Sequence, residues 1–282
     1  MKHRFLRPLV AVTVAVGLSG FTVLEPLLAP RADLWPKWEA HDPTSTQTVD
    51  HAAWGKFLKT YVKPGSDGVN RVAYGTVNEA DKKSLHDYLA SLRKVNVASL
   101  SRNEQLAYWI NLYNALTVRV VVHFYPVDSI QDINLTSGLF GGGGPWGKDL
   151  IRIDGEMISL NDIEHRILRP IWRDPRLHYA INHASVSCPN LAARPYIAAA
   201  INAMLNQAAR AYINSPRGVQ PSSDGLVLSK IYAWFSEDFG GRETMVLDHI
   251  ARHASSDTEM TIMKSANIAT YKYDWSLNGT MK

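Results

Sequence analysis

The chain has 282 residues, 46% hydrophobic and 20% charged, with a formal net charge of +4. That is ample material for a sizeable core and excludes a disordered chain. The charge is mild and no Lys/Arg block of the kind that tracks phosphates occurs, which argues against nucleic acid as a partner.

The N-terminus carries a targeting signal. Lys2, Arg4 and Arg7 precede an apolar run from Leu9 to Leu24, broken only by Thr13, Gly17, Ser19, Gly20 and Thr22. Residues 1–29 read as a secretory signal or, because the run approaches the ~20 residues that span a bilayer, as an N-terminal membrane anchor. Either places the rest of the chain outside the cytoplasm: periplasmic or otherwise exported, or held to the inner membrane facing the periplasm. Residues 30–49, with Pro30, Pro36 and Pro43, read as a linker, and 50–282 as the globular part. Cys188 is the sole cysteine. In an exported protein it has no internal disulfide partner, so it is either buried and inert or kept for chemistry.

Asp50 caps an expected helix to Tyr61, with Trp54, Phe57, Leu58 and Tyr61 at helical spacing. Val69 to Tyr74 is an expected strand. Asn78 to Lys94 is an amphipathic helix with Leu85, Tyr88, Leu89 and Leu92 on one face. Ser101 and Glu104 have capping-box spacing and open a helix to about Phe124. Asn111 and Asn114 form a polar stripe on that otherwise apolar helix. Buried amides must be hydrogen-bonded, so the stripe either fixes a loop or lines a site.

Residues 137–147 are Gly-rich but lack the Lys-Ser/Thr of a phosphate-binding loop, which favours a flap or turn. Asp149 to Ile158 reads as a hairpin turning at Asp154-Gly155. Ser159 and Asp162 cap a short helix ending at Arg169-Pro170, with Asp162, His165 and Arg169 on its polar edge. Leu177 to Ile181 reads as a buried strand that breaks at Cys188 and enters a helix over Leu191–Tyr212. A strand at Gly225–Leu228, helices around Trp234 and over Arg242–Arg252, and a closing strand over Ile268–Leu277 complete the chain. The expected fold is α+β: a helix-dominated single domain with a small, mostly antiparallel sheet from segments near 70, 150, 178, 227 and 271.

Three chemistries are open. The first is a cysteine-dependent hydrolase or acyl transferase, with Cys188 as nucleophile and His165 or His178 as base. Glu104, Asn111, Asp162 or Asp274 would orient the base, as in papain-like or transglutaminase-like thiol enzymes. Its substrate would be a small molecule or peptide, and it calls for no cofactor. The second is a non-catalytic envelope module that binds a ligand or partner, with the amide stripe and Gly-rich flap as its pocket. The third is a Zn site of His178, His183 and Cys188, spaced by five, joined by His165. In a strand that spacing puts successive side chains on opposite faces.

Several motifs occur in order: Glu104 to Leu116, Ser159 to His165, His178 to Asn182, Ser187 to Leu191 and Tyr273 to Asn278. Together they resemble the domain-of-unknown-function family 547. The resemblance implies an exported or membrane-associated bacterial protein, or a domain of larger eukaryotic proteins, and names no activity. Members similar to this chain often carry a second cysteine where His183 stands, so a dithiol reading has no second sulfur here.

Overall fold

The computed structural model describes residues 29–135, 144–265 and 267–280. Residues 1–28 of the expected signal and 137–143 of the Gly-rich stretch lie outside them.

Helix α1 (Ala52–Tyr61) turns Trp54, Phe57, Leu58 and Tyr61 inward. Asp50 Oδ1 accepts from the Ala52 amide at 2.8 Å at its start. The hairpin of β1 (Val62–Pro64) and β2 (Asn70–Val72) follows. Helix α2 (Glu79–Leu92) begins at Asn78, whose side chain accepts from the Asp81 amide.

Helix α3 (Arg102–Phe124) is the central element: every residue from Glu104 to Val118 is buried. A helix enclosed on all sides shows little amphipathic contrast, and its polar residues must find partners inside the protein.

The expected hairpin is β3 (Ile151–Ile153) and β4 (Glu156–Ile158). It turns at Asp154 and Gly155, both at positive φ (45° and 83°), as a two-residue turn matched to strand twist requires. The capping box after it is complete. The Asp162 amide donates to Ser159 Oγ at 3.1 Å, and the Ser159 amide donates to Asp162 Oδ2 at 3.0 Å. It opens a π-helical segment, Asp162–Leu168, that runs into α4 (Arg169–Trp172).

Helix α5 (Ile201–Ile213), β5 (Val219–Ser222), β6 (Gly225–Ser229), α6 (Lys230–Trp234), α7 (Glu243–His253), α8 (Ser256–Lys264) and β7 (Ile268–Lys272) follow. Strand β6 pairs antiparallel with β5 and parallel with β7.

The α+β class holds, with three small separate sheets in place of one. The segment near 178 is not a strand but a 3-10 helix, Pro175–Tyr179. Pro175 at its first position and Asp174, accepting from the Arg176 amide, start a helical turn. The helix expected from Leu191 begins at Ile201, because Pro195 lacks the amide that would bond back to Leu191 and its ring crowds that carbonyl.

The stretch read as a linker is docked. The Asp33 and Trp35 amides donate to the carbonyls of His165 and Arg166, both at 2.9 Å. The buried Trp38 ring sits edge-on to Trp109 at 5.1 Å.

Beyond β7 the chain runs extended past the loop that carries Cys188. The Val186 amide donates to Ser276 O, the Ser187 amide to Asp274 O and the Asn278 amide to Ala184 O, at 2.8, 3.1 and 3.1 Å. Among the described residues no helix is long and apolar enough to cross a membrane.

Candidate active site

The amide stripe on α3 builds the loop around the cysteine. Asn114 donates to Ala180 O at 2.9 Å and accepts from the Asn182 amide at 2.9 Å. Asn182 in turn donates to Pro189 O at 2.7 Å and accepts from the Ala184 amide at 2.9 Å. Two side-chain amides thus replace the ladder partners that an irregular buried segment lacks. Ala184 sits at φ 57°, a left-handed conformation that an alanine adopts only when its surroundings hold it there. The Cys188 amide closes onto Ser185 O at 3.2 Å, curling the chain back.

That curl brings residues 183 and 188 to the same side, which a strand would have separated. Cys188 Sγ lies 3.5 Å from His183 Nδ1 and accepts from the His183 backbone amide at 2.9 Å. His183 Nε2 lies 3.0 Å from Glu164 Oε2. Glu164, buried on the π-helical segment, also accepts from the Tyr113 hydroxyl of α3 at 3.1 Å. The Tyr273 hydroxyl lies 3.1 Å from Sγ and accepts from Ser185 Oγ at 2.9 Å. A hydrogen-bond chain therefore runs from Ser185 through Tyr273 to the sulfur on one side. On the other, the sulfur meets imidazole, carboxylate and a second phenol.

The electrostatics follow from this arrangement. Burial drives the Cys188 thiol upward, but the neighbouring His183 charge outweighs it, with hydrogen bonds from His183, Ser185 and Tyr273; the thiol falls from 9.0 to about 7. Burial also opposes charge on His183, yet the carboxylate of Glu164 and the thiolate of Cys188 raise it to about 10. Glu164 is held well below the usual carboxylate range: burial would raise it, and the charges of His165 and His183 and the hydrogen bond from His183 outweigh that. Burial pushes His165 itself down to about 4, so at neutral pH the positive charge beside Glu164 is carried by His183.

The residues singled out in the sequence divide sharply. Cys188 stands at the centre of this cluster. His178 bonds elsewhere, and His165 meets the cluster only at its edge, with Nδ1 4.0 Å from Glu164 Oε1. His178 Nε2 lies 2.7 Å from Asp238 Oδ2, and His165 Nδ1 lies 3.0 Å from Arg169 Nη1. Arg169 also binds Asp238 Oδ2 through Nε at 2.6 Å. Glu104 accepts from the Val49 amide at 2.7 Å, fastening the docked segment. Asn111 holds the backbone of Tyr196 from both sides, donating to its carbonyl at 2.8 Å and accepting from its amide at 3.0 Å. Asp162 caps its own helical segment, and Asp274 Oδ1 accepts from the Ser276 amide at 2.8 Å. Among the described residues no group of three or more His, Cys, Asp and Glu side chains is placed to hold a metal ion.

Glu164, His183, Tyr113 and Tyr273 are the members that reading the sequence left out of the thiol site. A signal was present for Glu164, an acid between core positions Ile163 and Ile167. His183 was weighed only as a metal ligand.

These features define an α+β protein with a buried cysteine–histidine–glutamate constellation, its loop tethered to a long central helix. Residues 97–213 match the family model described as "Protein of unknown function, DUF547", which bears out the resemblance seen in the motifs. The matched stretch contains Glu164, His183 and Cys188; Tyr273 comes from beyond it. No curated protein and no solved structure matches the chain.

Proposed function

We propose that this chain is an exported thiol-dependent hydrolase or acyl transferase acting on a small molecule or peptide. Cys188 is the nucleophile, His183 the acid and base, and Glu164 the group that orients His183. The observation that carries this reading is the unbroken run from Sγ to His183 Nδ1 and from Nε2 to Glu164, at 3.5 and 3.0 Å.

In the first step the thiolate attacks the acyl carbon and a sulfur–carbon bond forms. The bond to the leaving nitrogen or oxygen then breaks, and the His183 imidazolium gives that atom its proton. Water or another acceptor, losing its proton to His183, attacks the thioester and returns the thiolate. The Tyr273 hydroxyl supports the thiolate in the resting state. Export is supported by Lys2, Arg4 and Arg7 ahead of the apolar run.

A specific observation favours a second reading. Cys188 is only 1% exposed. A sulfur enclosed by imidazole and phenol also serves as a tie between the 182–188 loop and the C-terminal segment, in a module that binds without reacting.

Alkylation with iodoacetamide across pH separates the two, with no other cysteine to compete. The enzyme reading expects labelling of the native protein with a midpoint near pH 7, against ~8.5 for a free thiol. A native protein that takes up no label below pH 9, and does so after unfolding, returns Cys188 to the structural role.

A further inference from the structure

A cleft of about 570 Å³ opens beside the Cys188 loop, within the range that holds small-molecule ligands. Ser187, next in the chain to Cys188, and Tyr273, whose hydroxyl reaches Sγ, form one wall. Val227, Leu228 and Tyr271, from β6 and β7, give it an apolar surface. Its charged lining is three cations, Arg217, Lys230 and Lys272, against one carboxylate, Asp274.

Arg217 has a double part. Its Nη1 donates to the carbonyls of Cys188 and Val186 at 2.6 and 3.3 Å. Its Nη2 donates to Gly68 O and Asn190 Oδ1, both at 3.1 Å. All four acceptors are uncharged, and the guanidinium orients the cysteine loop from the lining of the cleft. A concave site with excess charge of one sign concentrates ligands of the other sign.

We propose that this cleft is the substrate subsite of the Cys188 centre and takes an acidic group, the carboxylate of a peptide end or of a dicarboxylic acyl chain. The carboxylate lies toward Lys272, and the adjoining apolar part lies along Val227 and Leu228. This assignment rests on the thiol reading, since it supplies the substrate class for that same sulfur. The small volume and the single apolar strip fit a short chain, not a polymer.

Two alkylating reagents of one size and one leaving group test it. Iodoacetate is anionic and iodoacetamide neutral; in both, a sulfur–carbon bond forms while iodide departs with the electron pair. The readout is the ratio of the iodoacetate rate to the iodoacetamide rate, divided by the same ratio for free cysteine. General changes in thiol ionisation cancel in that quotient.

At low ionic strength the quotient should exceed one by about fivefold and fall toward one in molar salt. The exposed Lys272→Glu variant should lower it by a similar factor. A quotient of one or less, unmoved by salt and by Lys272→Glu, overturns the acidic subsite while leaving the nucleophile in place. If neither reagent labels the native protein, the thiol reading fails and the subsite with it.

Discussion

Glu164 and His165 are neighbours in the chain, yet they enter two clusters of opposite character. On one side Glu164 meets His183, and His183 meets a sulfur. On the other, Asp238 meets His178 at 2.7 Å and is clamped by Arg169 at 2.6 and 3.2 Å. Phe235 lies under that second cluster, stacked on His178 at 4.4 Å between ring centroids, with the Arg169 guanidinium 4.7 Å from the ring. Both clusters pair a histidine with a carboxylate, as triads do. What separates them is the third group.

Arg169 permanently neutralises Asp238, and His178 bonds to the same carboxylate, so that cluster ties elements together. Among the described residues no arginine is paired with Glu164. Its charge is balanced by an imidazole whose own protonation depends on a neighbouring thiol, so this cluster can move a proton. A histidine–carboxylate contact alone does not separate the two clusters; the group that balances the carboxylate does.

The largest expected effect breaks the structural cluster. In Asp238→Ala the Arg169 side chain, 4% exposed, loses its acid, and stability should fall by about 3 kcal/mol in denaturant unfolding. The pH profile of Cys188 alkylation should stay where it is. A shifted profile would mean that the two clusters are one.

Glu164→Gln comes next. Without the carboxylate, His183 holds its proton less firmly and the thiol moves back toward its ordinary value. Alkylation at pH 6, below both thiol values, should drop about tenfold for one unit of thiol ionisation. The same variant gives a stability test with a definite sign. The raised value of His183 means that its contribution is complete below pH 6.5 and is lost as pH rises through about 10. Between pH 7 and 9 the lowered thiol of Cys188 contributes in the opposite sense, so the thermal midpoint of the native chain relative to Glu164→Gln should hold across that interval and decline from pH 9 to about 10. A difference that keeps growing above pH 9 would show that His183 is not the partner of Glu164.

The smallest effect is Tyr273→Phe. It removes one hydrogen bond to sulfur, worth about 1 kcal/mol, and should slow alkylation at pH 7 about fivefold or less with the fold retained. No change at all would place the tyrosine outside the site's electrostatics.

Ser101 and Glu104 at capping-box spacing, ahead of an otherwise apolar helix, are enough to place α3. Asp154-Gly155 is enough to place the β3–β4 turn, and the single cysteine draws attention to the loop it occupies. The choice of histidine was not legible. His183 follows the expected strand Leu177–Ile181 and enters only the zinc reading, where strand alternation sends residues 183 and 188 apart. The backbone is instead bent by Ala184 in the left-handed region and held by Asn182 and Asn114, the latter about seventy positions earlier in sequence. The amide stripe was read as fixing a loop or lining a site, and Asn111 and Asn114 do the first.

Local order, then, belongs to the sequence itself: which residues wind into helices, where the hairpin turns and that one sulfur is available, because caps, turn residues and apolar spacing act over a few positions. Which imidazole meets that sulfur, and which acid meets that imidazole, was decided only by the packing of a π-helical segment, a curled loop and the C-terminal strand around α3. Contacts across 19 and 85 positions, His183 with Glu164 and Cys188 with Tyr273, depend on the summed geometry of everything between them.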